Sequence, residues 1–288
     1  MPVGQTARGG LAVVIGAGGA IGAALVAGLQ TDTAYTRVMG LGRHSDLPVD
    51  YFNESSIAAA AQSVASVCTE AQLELRLLIV ASGFLHGVQG EPERSWSHLD
   101  AGYLSHVFAV NALGPALVIK HFFPLLPRQG RCVAGFLSAK VGSIGDNALG
   151  GWYGYRASKA ALNQLVKTAS VELSRRNKEA VCLALHPGTV ATPLSQPFAK
   201  TGLTVRPPEA AAEDLLKVLN AVGSAESGRL IDYRGQTLPW LRFLLKFTGK
   251  SGYCPIYWLA NSYKNNSVAE NLKHFFDAKF LQFRRLKN

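Results

Sequence analysis

Residues 11–25, LAVVIGAGGAIGAAL, place a glycine-rich turn between an apolar run and an alanine-rich run. The apolar run is typical of a buried strand, and the alanines favour a helix. A turn without side chains lets a ligand approach the N–H groups at the start of that helix. The spacing therefore predicts a strand–turn–helix unit that binds the pyrophosphate of a dinucleotide. The glycines concerned are Gly16, Gly18, Gly19 and Gly22.

Strand-like and helix-like segments continue to alternate along the chain. The strand-like runs are 11–16, 37–42, 75–82, 131–138 and 180–188, followed by a helix over 208–222 and a strand over 228–235. The runs are apolar almost throughout, which is typical of strands buried on both faces of a parallel sheet. We predict an α/β fold with a doubly wound parallel sheet of Rossmann type, formed by a single domain over residues 1–240.

Residues 241–288 form a basic C-terminal extension rich in Phe, Lys and Asn. The extension holds nine Lys and Arg against two Asp and Glu, so it carries +7 of the net charge of +10. The rest of the chain has the charge of an ordinary soluble enzyme, and we expect no nucleic-acid partner. Apolar residues recur at helical spacing over 267–288. They predict a helix that docks on its own domain or on a partner subunit, or alternatively lies on a membrane surface.

The four cysteines are far apart and the histidines lack metal-ligand spacing. Glycines interrupt the first apolar run, which argues against a signal peptide or a membrane-spanning helix. We therefore expect reduced thiols, no metal and a cytoplasmic location.

The second strand-like run ends in LGRHSD, which places Arg43 directly after it. NAD-binding sites usually have an acid here for the ribose 2′-hydroxyl, whereas a guanidinium suits a 2′-phosphate. We expect NADP(H) rather than NAD(H), with a solvent-exposed arginine as the alternative. Asp50 is a candidate ligand for the adenine amine or, alternatively, a turn residue.

The segment 150–159, GGWYGYRASK, holds two tyrosines and one lysine. Tyr155 stands four residues before Lys159, so both share one face of a helix, whereas Tyr153 has no such partner. A lysine ammonium stabilises a phenolate and lowers the tyrosine pKa toward a working range. Such a tyrosine protonates a carbonyl as hydride arrives, or deprotonates an alcohol in reverse. Trp152 and Tyr153 are candidates for a pocket wall or for core packing.

With these motifs the chain resembles the short-chain dehydrogenase/reductase family over residues 10–240. The matching motifs are GAGGAIG at 16–22, Gly83 after the third apolar run, Asn111 in FAVNALGPAL, YRASKAAL and HPGTVATP. The segment 138–163, SAKVGSIGDNALGGWYGYRASKAALN, is closest to the C-factor-like subgroup of the family.

The resemblance implies an oxidoreductase for a small carbonyl or alcohol substrate, and a homo-oligomer. It implies that Tyr155 is the acid–base group, that Asn111 joins Lys159 in a water-linked proton relay, and that a serine polarises the substrate carbonyl. The cofactor contacts expected from the motifs and the resemblance are Gly16, Gly18, Gly19, Ile21, Gly22, Arg43, Asp50, Gly83, Asn111, Tyr155, Lys159, Pro187, Gly188, Thr189 and Val190.

Several features depart from the family pattern, including Ile15 and Ala20 in the turn, where the family has Thr and Gly. The segment VASG at 80–83 stands where the family has Asn-Asn-Ala-Gly, so the asparagines that brace the sheet are missing. Ser138 ends the fourth strand-like run and is our candidate for the catalytic serine, with Ser143 as the alternative. An ungapped match places Ala139 at this position.

These features predict an NADP(H)-dependent oxidoreductase that transfers hydride between the nicotinamide and a carbonyl or alcohol. The alternative is a cofactor-binding, C-factor-like signalling or scaffold protein with little turnover. The sequence does not name the substrate.

Overall fold

The computed structural model describes residues 9–198 and 204–240, and the C-terminal extension with its predicted helix lies outside these residues. The strands are β1 Gly10–Ile15, β2 Tyr35–Leu41, β3 Glu74–Val80, β4 Val133–Leu137, β5 Val181–His186, β6 Leu230–Asp232 and β7 Thr237–Leu238. The α-helices are α1 Ala20–Gln30, α2 Glu54–Glu70, α3 Ala101–Phe108, α4 Gly114–Phe122, α5 Tyr153–Arg176 and α6 Pro208–Ala221.

The strands form one sheet in the order β2-β1-β3-β4-β5-β6-β7. Strands β1 to β6 are parallel, and β7 pairs antiparallel with β6. This confirms the predicted doubly wound α/β fold. The sequence did not indicate β7, because a strand of two residues has no periodicity to detect. The strand order reverses beside β1, so a crevice opens where the carboxyl ends of β1 and β3 meet.

Helices cover both faces of the sheet. On one face α1 and α6 bury Leu25 and Leu215 completely, and on the other α2, α4 and α5 bury Ile57, Phe122 and Val166. Because both faces are covered, the central strands are apolar on both sides, which explains their continuous apolar runs. Each such side chain contributes about 1.5–3 kcal/mol on burial, so this packing stabilises the sheet that carries the crevice.

Helices α3 and α4 belong to one helical run, Ala101–Leu125, that is long and apolar enough by composition to cross a membrane. In the structure this run contacts α5, and Val107 and Val118 within it are fully buried. A π-helical turn, Ala109–Leu113, interrupts the run where it passes the crevice.

Candidate active site

The glycine-rich turn joins β1 to α1 at the crevice. Gly16 has a φ of +89°, and a Cβ there would lie 2.8 Å from the backbone nitrogen of Ser82, just after β3. A Cβ at Gly22 would lie 2.1 Å from the carbonyl oxygen of Gly16, so α1 packs directly on the turn. Neither position has room for a side chain, and glycine is required at both.

Gly18 and Gly19 are exposed, and a Cβ at Gly18 would have no heavy atom within 4 Å. Helix α1 has no side-chain cap at Gly19 and no acid in its first turn. Its first N–H groups, including that of Ile21, therefore lack an acceptor within the helix. An uncapped helix N-terminus beside open space suits the two phosphates of a dinucleotide.

The end of β2 approaches the same turn. A Cβ at Gly42 would lie 3.7 Å from the backbone nitrogen of Gly18, so Arg43 stands beside the turn. Arg43 is exposed and forms no ion pair with any residue that the structure describes. Burial and, to a smaller degree, the Arg43 charge lower the pKa of His106. The charge of Arg43 is thus available for an anion.

Asp50 forms a turn before α2. Its Oδ1 accepts a hydrogen bond from the Phe52 N–H at 3.0 Å, and its own N–H donates to Ser56 Oγ at 2.9 Å. These contacts agree with the interpretation of Asp50 as a turn residue. The binding of adenine by Asp50 stays a prediction. Phe52 stacks on His106, with ring centroids 5.1 Å apart.

Tyr51, which no sequence motif indicated, braces the crevice. Its hydroxyl is hydrogen-bonded to Ser82 in the VASG segment. A Cβ at Gly114 would lie 2.1 Å from the Tyr51 ring, so the ring packs against the start of α4. Burial raises the pKa of Tyr51 to about 12, and the phenol stays protonated. The Tyr51–Ser82 hydrogen bond connects the loop after β2 to the end of β3. The asparagines that brace the sheet in the family are absent from this segment at the end of β3.

Tyr155 and Lys159 lie one helical turn apart on α5, as their spacing predicted. Lys159 Nζ lies 5.9 Å from the centroid of the Tyr155 ring and donates to the Leu137 carbonyl oxygen at 2.9 Å. The Tyr155 hydroxyl has no hydrogen-bond partner among the described residues, so its proton is available to a substrate. A Cβ at Gly83 would lie 3.6 Å from Lys159 Nζ and 3.7 Å from Asn111 Oδ1, so these predicted residues converge.

The pKa values of this pair differ from the expectation that Lys159 lowers the pKa of Tyr155. Burial raises the pKa of Tyr155 to about 12 and lowers that of Lys159 to about 7. A desolvated amine releases its proton more readily, and Lys159 directs its hydrogen bond to a carbonyl rather than to the phenol. Above pH 7 the cofactor-free site therefore favours a neutral phenol and a neutral amine.

Asn111 is fully buried in the π-helical turn. Its Oδ1 accepts from the Phe84 N–H at 2.8 Å, and its Nδ2 donates to the Phe84 carbonyl at 2.8 Å and to Ser158 Oγ at 3.1 Å. The side chain thus fixes the segment after β3 against α5. Turns of this kind are frequent at functional sites, and sequence periodicity does not reveal them.

Neither candidate serine presents a free hydroxyl. Ser138 is 4% exposed and donates to Asn163 Oδ1 at 2.6 Å. Ser143 is 2% exposed and donates to the Pro239 carbonyl at 2.5 Å. The catalytic role of Ser138 stays a prediction, and its hydrogen bond to Asn163 argues against that role. Ala139, the residue that follows Ser138, has no hydroxyl to offer.

The predicted cofactor segment 187–190 follows β5. Gly188 has a φ of +79°, and a Cβ there would lie 3.0 Å from the Tyr233 ring. The Thr189 carbonyl accepts from the Arg206 N–H at 2.9 Å, and the Arg206 guanidinium lies 4.1 Å from the centroid of the Tyr233 ring. These contacts hold the segment in place independently of any ligand.

Trp152 packs edge-on against Tyr155, with ring centroids 6.1 Å apart, whereas Tyr153 is 37% exposed. Trp152 is therefore the better candidate for a wall beside the Tyr155 hydroxyl. Burial lowers the pKa of His186, the last residue of β5, to about 4, so this imidazole is neutral near pH 7. A surface cavity of about 730 Å³ lies between α1 and α6. We nevertheless assign the active site to the crevice, because the reactive groups converge there and not at this cavity.

Comparison with known proteins agrees with this geometry. The sequence model described as short chain dehydrogenase matches residues 10–202. The chain is 38% identical over 144 residues to C-signal of Myxococcus xanthus, in a match that covers 49% of this chain and 81% of that protein. It is 36% identical over 142 residues to 1-hydroxy-2-glutathionyl-2-methyl-3-butene dehydrogenase of Rhodococcus sp. (strain AD45), covering 49% of this chain and 61% of that protein.

Among solved structures, the fold is similar to that of an NADPH-bound carbonyl reductase from chicken fatty liver. The TM-score is 0.70 at 24% identity, over 81% of this chain and 95% of the other. At this identity the likeness concerns the fold.

Proposed function

Because this chain belongs to the short-chain dehydrogenase/reductase family, we propose that it is an NADP(H)-dependent carbonyl reductase. Family membership makes it an NAD(P)-dependent oxidoreductase acting on alcohol or carbonyl groups. The observation that carries the finer proposal is the Tyr155 hydroxyl, which has no partner among the described residues and lies beside Lys159 at the crevice. The protonation of Tyr155 supports the direction of the reaction, and Arg43 supports the choice of cofactor.

The residues present fit a dinucleotide. The uncapped start of α1 and the open space at Gly18 would hold the pyrophosphate, and Lys159 would hold the nicotinamide ribose. When bound, the nicotinamide supplies the hydride. The protein orients the carbonyl and provides the proton.

Tyr155 provides the proton. Because burial raises its pKa to about 12, the phenol is protonated at neutral pH and donates to the carbonyl oxygen. In reverse the same oxygen accepts the alcohol proton, which requires higher pH. This asymmetry supports reduction as the reaction near neutral pH.

Arg43 supports NADP(H) over NAD(H). Its guanidinium is exposed beside the glycine-rich turn without an ion pair among the described residues, and a 2′-phosphate would supply its counter-charge. The similar fold of an NADPH-bound carbonyl reductase is consistent with this choice.

Fluorescence titration of the full chain with NADPH and NADH tests the cofactor. We expect the Kd for NADPH to be at least about tenfold lower than the Kd for NADH, because charge-assisted hydrogen bonds to the 2′-phosphate add to the binding free energy. A panel of aldehydes and ketones should contain substrates that oxidise bound NADPH. If neither NADPH nor NADH binds, the proposal is wrong.

A second candidate is a C-factor-like signalling or scaffold protein that binds the cofactor with little turnover. Two observations favour it: the 38% identity to C-signal, and the engagement of both serine hydroxyls in buried hydrogen bonds. Tight NADPH binding without oxidation across the carbonyl panel would select this candidate.

We propose further that the protein is cytoplasmic and homo-oligomeric. The cysteines Cys68, Cys132 and Cys182 are free, which suits a reducing compartment, and family members are commonly oligomers. Light scattering of the purified chain measures the oligomer, and fractionation of cells measures the location.

A further inference from the structure

Glu93 is a buried acidic residue, 1% exposed, that belongs to none of the sequence motifs described above. Both of its carboxylate oxygens accept from the N–H of Gly154 in the first turn of α5, at 3.0 and 3.1 Å. Its main-chain carbonyl accepts from the Trp152 N–H at 2.6 Å. One residue therefore holds the start of the helix that carries Tyr155 by both its main chain and its side chain.

Helix α5 lacks the features that normally begin a helix. Its N-cap, Trp152, has a left-handed φ of 54° and offers no side-chain cap, and the first turn contains no acid. A non-glycine residue in this conformation is strained and persists when its surroundings hold it. Glu93, from the loop between β3 and α3, supplies the side-chain hydrogen-bond acceptor that the helix N-terminus lacks.

The packing around Glu93 leaves little freedom. A Cβ at Gly154 would lie 3.1 Å from Glu93 Oε1 and 3.0 Å from Leu104 Cδ2. A Cβ at Gly151 would lie 3.3 Å from the Glu93 carbonyl oxygen. The two glycines let the helix start approach Glu93 closely, and that start fixes the next residue, Tyr155.

We propose that Glu93 is a positioning residue for Tyr155: its carboxylate replaces a helix cap and sets the start of α5, and so the place of the phenol. The proposal rests on the proposed function insofar as turnover is its readout. A displacement of about 1 Å at a reacting group can lower a rate by up to about a hundredfold, so the effect is measurable.

The test compares the variants Glu93→Ala and Glu93→Gln with Glu91→Ala. Glu91 lies in the same loop with its side chain 71% exposed, and it serves as the matched control. For Glu93→Ala we expect kcat for carbonyl reduction to fall about 10- to 100-fold, with the Kd for NADPH within about twofold of wild type. Gln keeps an oxygen that accepts from Gly154, so Glu93→Gln should retain kcat within about threefold.

Hydrogen exchange of the peptide that includes Gly154 and Tyr155 provides a readout without turnover. Exchange should be faster in Glu93→Ala and unchanged in Glu91→Ala. Unchanged exchange in Glu93→Ala, or equal loss of kcat in both Glu93 variants, would overturn the proposal. Faster exchange in a protein that never turns over would keep the positioning role and refute the proposed function instead.

If Glu93→Ala does not fold, Gly154→Ala replaces it, because its methyl group would press on Glu93 Oε1 while the carboxylate remains. We expect lower kcat with retained NADPH binding. Wild-type kcat in Gly154→Ala would overturn the proposal.

Discussion

Lys159 lies beneath the Tyr155 ring, with its Nζ 5.9 Å from the ring centroid, and donates its hydrogen bond to Leu137 rather than to the phenol. The Tyr155 hydroxyl is left without a partner among the described residues. In the proposed reaction the two residues would therefore have separate tasks: Tyr155 would carry the transferred proton, and Lys159 would bind the cofactor ribose.

Replacing Tyr155 by Phe should remove the proton donor and leave the ring packing in place. We expect carbonyl reduction to fall by about 10²- to 10⁴-fold, the usual contribution of a positioned acid. The Kd for NADPH should stay within about twofold. Tyr153→Phe is the control, because Tyr153 is 37% exposed. Activity that survives in Tyr155→Phe would show that another group is the acid.

Replacing Lys159 by Met should change how stability depends on pH. Burial lowers the pKa of Lys159 from 10.5 to about 7, so between these values the unfolded chain binds more protons than the folded one. Wild-type stability should therefore rise with pH across this window relative to the variant, by up to about 1.4 kcal/mol per pH unit.

Urea unfolding of the cofactor-free proteins at pH 7.5 and 9.5 measures this difference. Parallel pH profiles for wild type and Lys159→Met would mean that Lys159 is solvated and charged in the folded protein.

Replacing Arg43 by Gln should weaken NADPH binding by about tenfold or more, since charge-assisted hydrogen bonds contribute about 1.5–3 kcal/mol. The Kd for NADH should change little. Arg37→Gln is the matched control, because Arg37 is another exposed arginine nearby on β2. Equal losses for NADPH and NADH would point to general electrostatics rather than recognition of the 2′-phosphate.

Three variants test whether Ser138 or Ser143 is the catalytic serine. Because the Ser138 hydroxyl is buried on Asn163, Ser138→Ala should destabilise the protein by about 1 kcal/mol and lower kcat less than about tenfold. Ser143→Ala should behave similarly. Ala139→Ser should raise kcat, because it adds a hydroxyl at the end of β4. A large loss of kcat in Ser138→Ala alone would restore Ser138 as the catalytic serine.

Replacing Tyr51 by Phe should remove the hydrogen bond to Ser82 and lower the free energy of unfolding by about 0.5–1.5 kcal/mol. Thermal unfolding measures the loss. No change in Tm would show that the Tyr51–Ser82 pair does not brace the crevice.

Local sequence patterns predicted the features that are local in the fold. The glycines of the turn, the order of strands and helices and the four-residue spacing of Tyr155 and Lys159 all depend on neighbours along the chain. The position of Arg43 at the end of β2 followed from the same pattern.

The contacts that the sequence did not predict join residues far apart in the chain. Tyr51 is hydrogen-bonded to Ser82, Glu93 to Gly154, and Ser138 to Asn163. No periodicity encodes such pairs, because the sheet order brings them together. The expectation that Lys159 lowers the pKa of Tyr155 is wrong for a related reason: burial, which the sequence shows poorly, raises this pKa despite the lysine four residues away.

The most direct test of the account is transfer of deuterium from C4-labelled NADPH to a carbonyl substrate, followed by mass spectrometry of the alcohol. We expect label on the carbinol carbon of product from the wild-type protein, with negligible transfer in Tyr155→Phe. Saturating NADPH without label transfer to any carbonyl of a broad panel would contradict the account and leave a cofactor-binding protein without reductase activity.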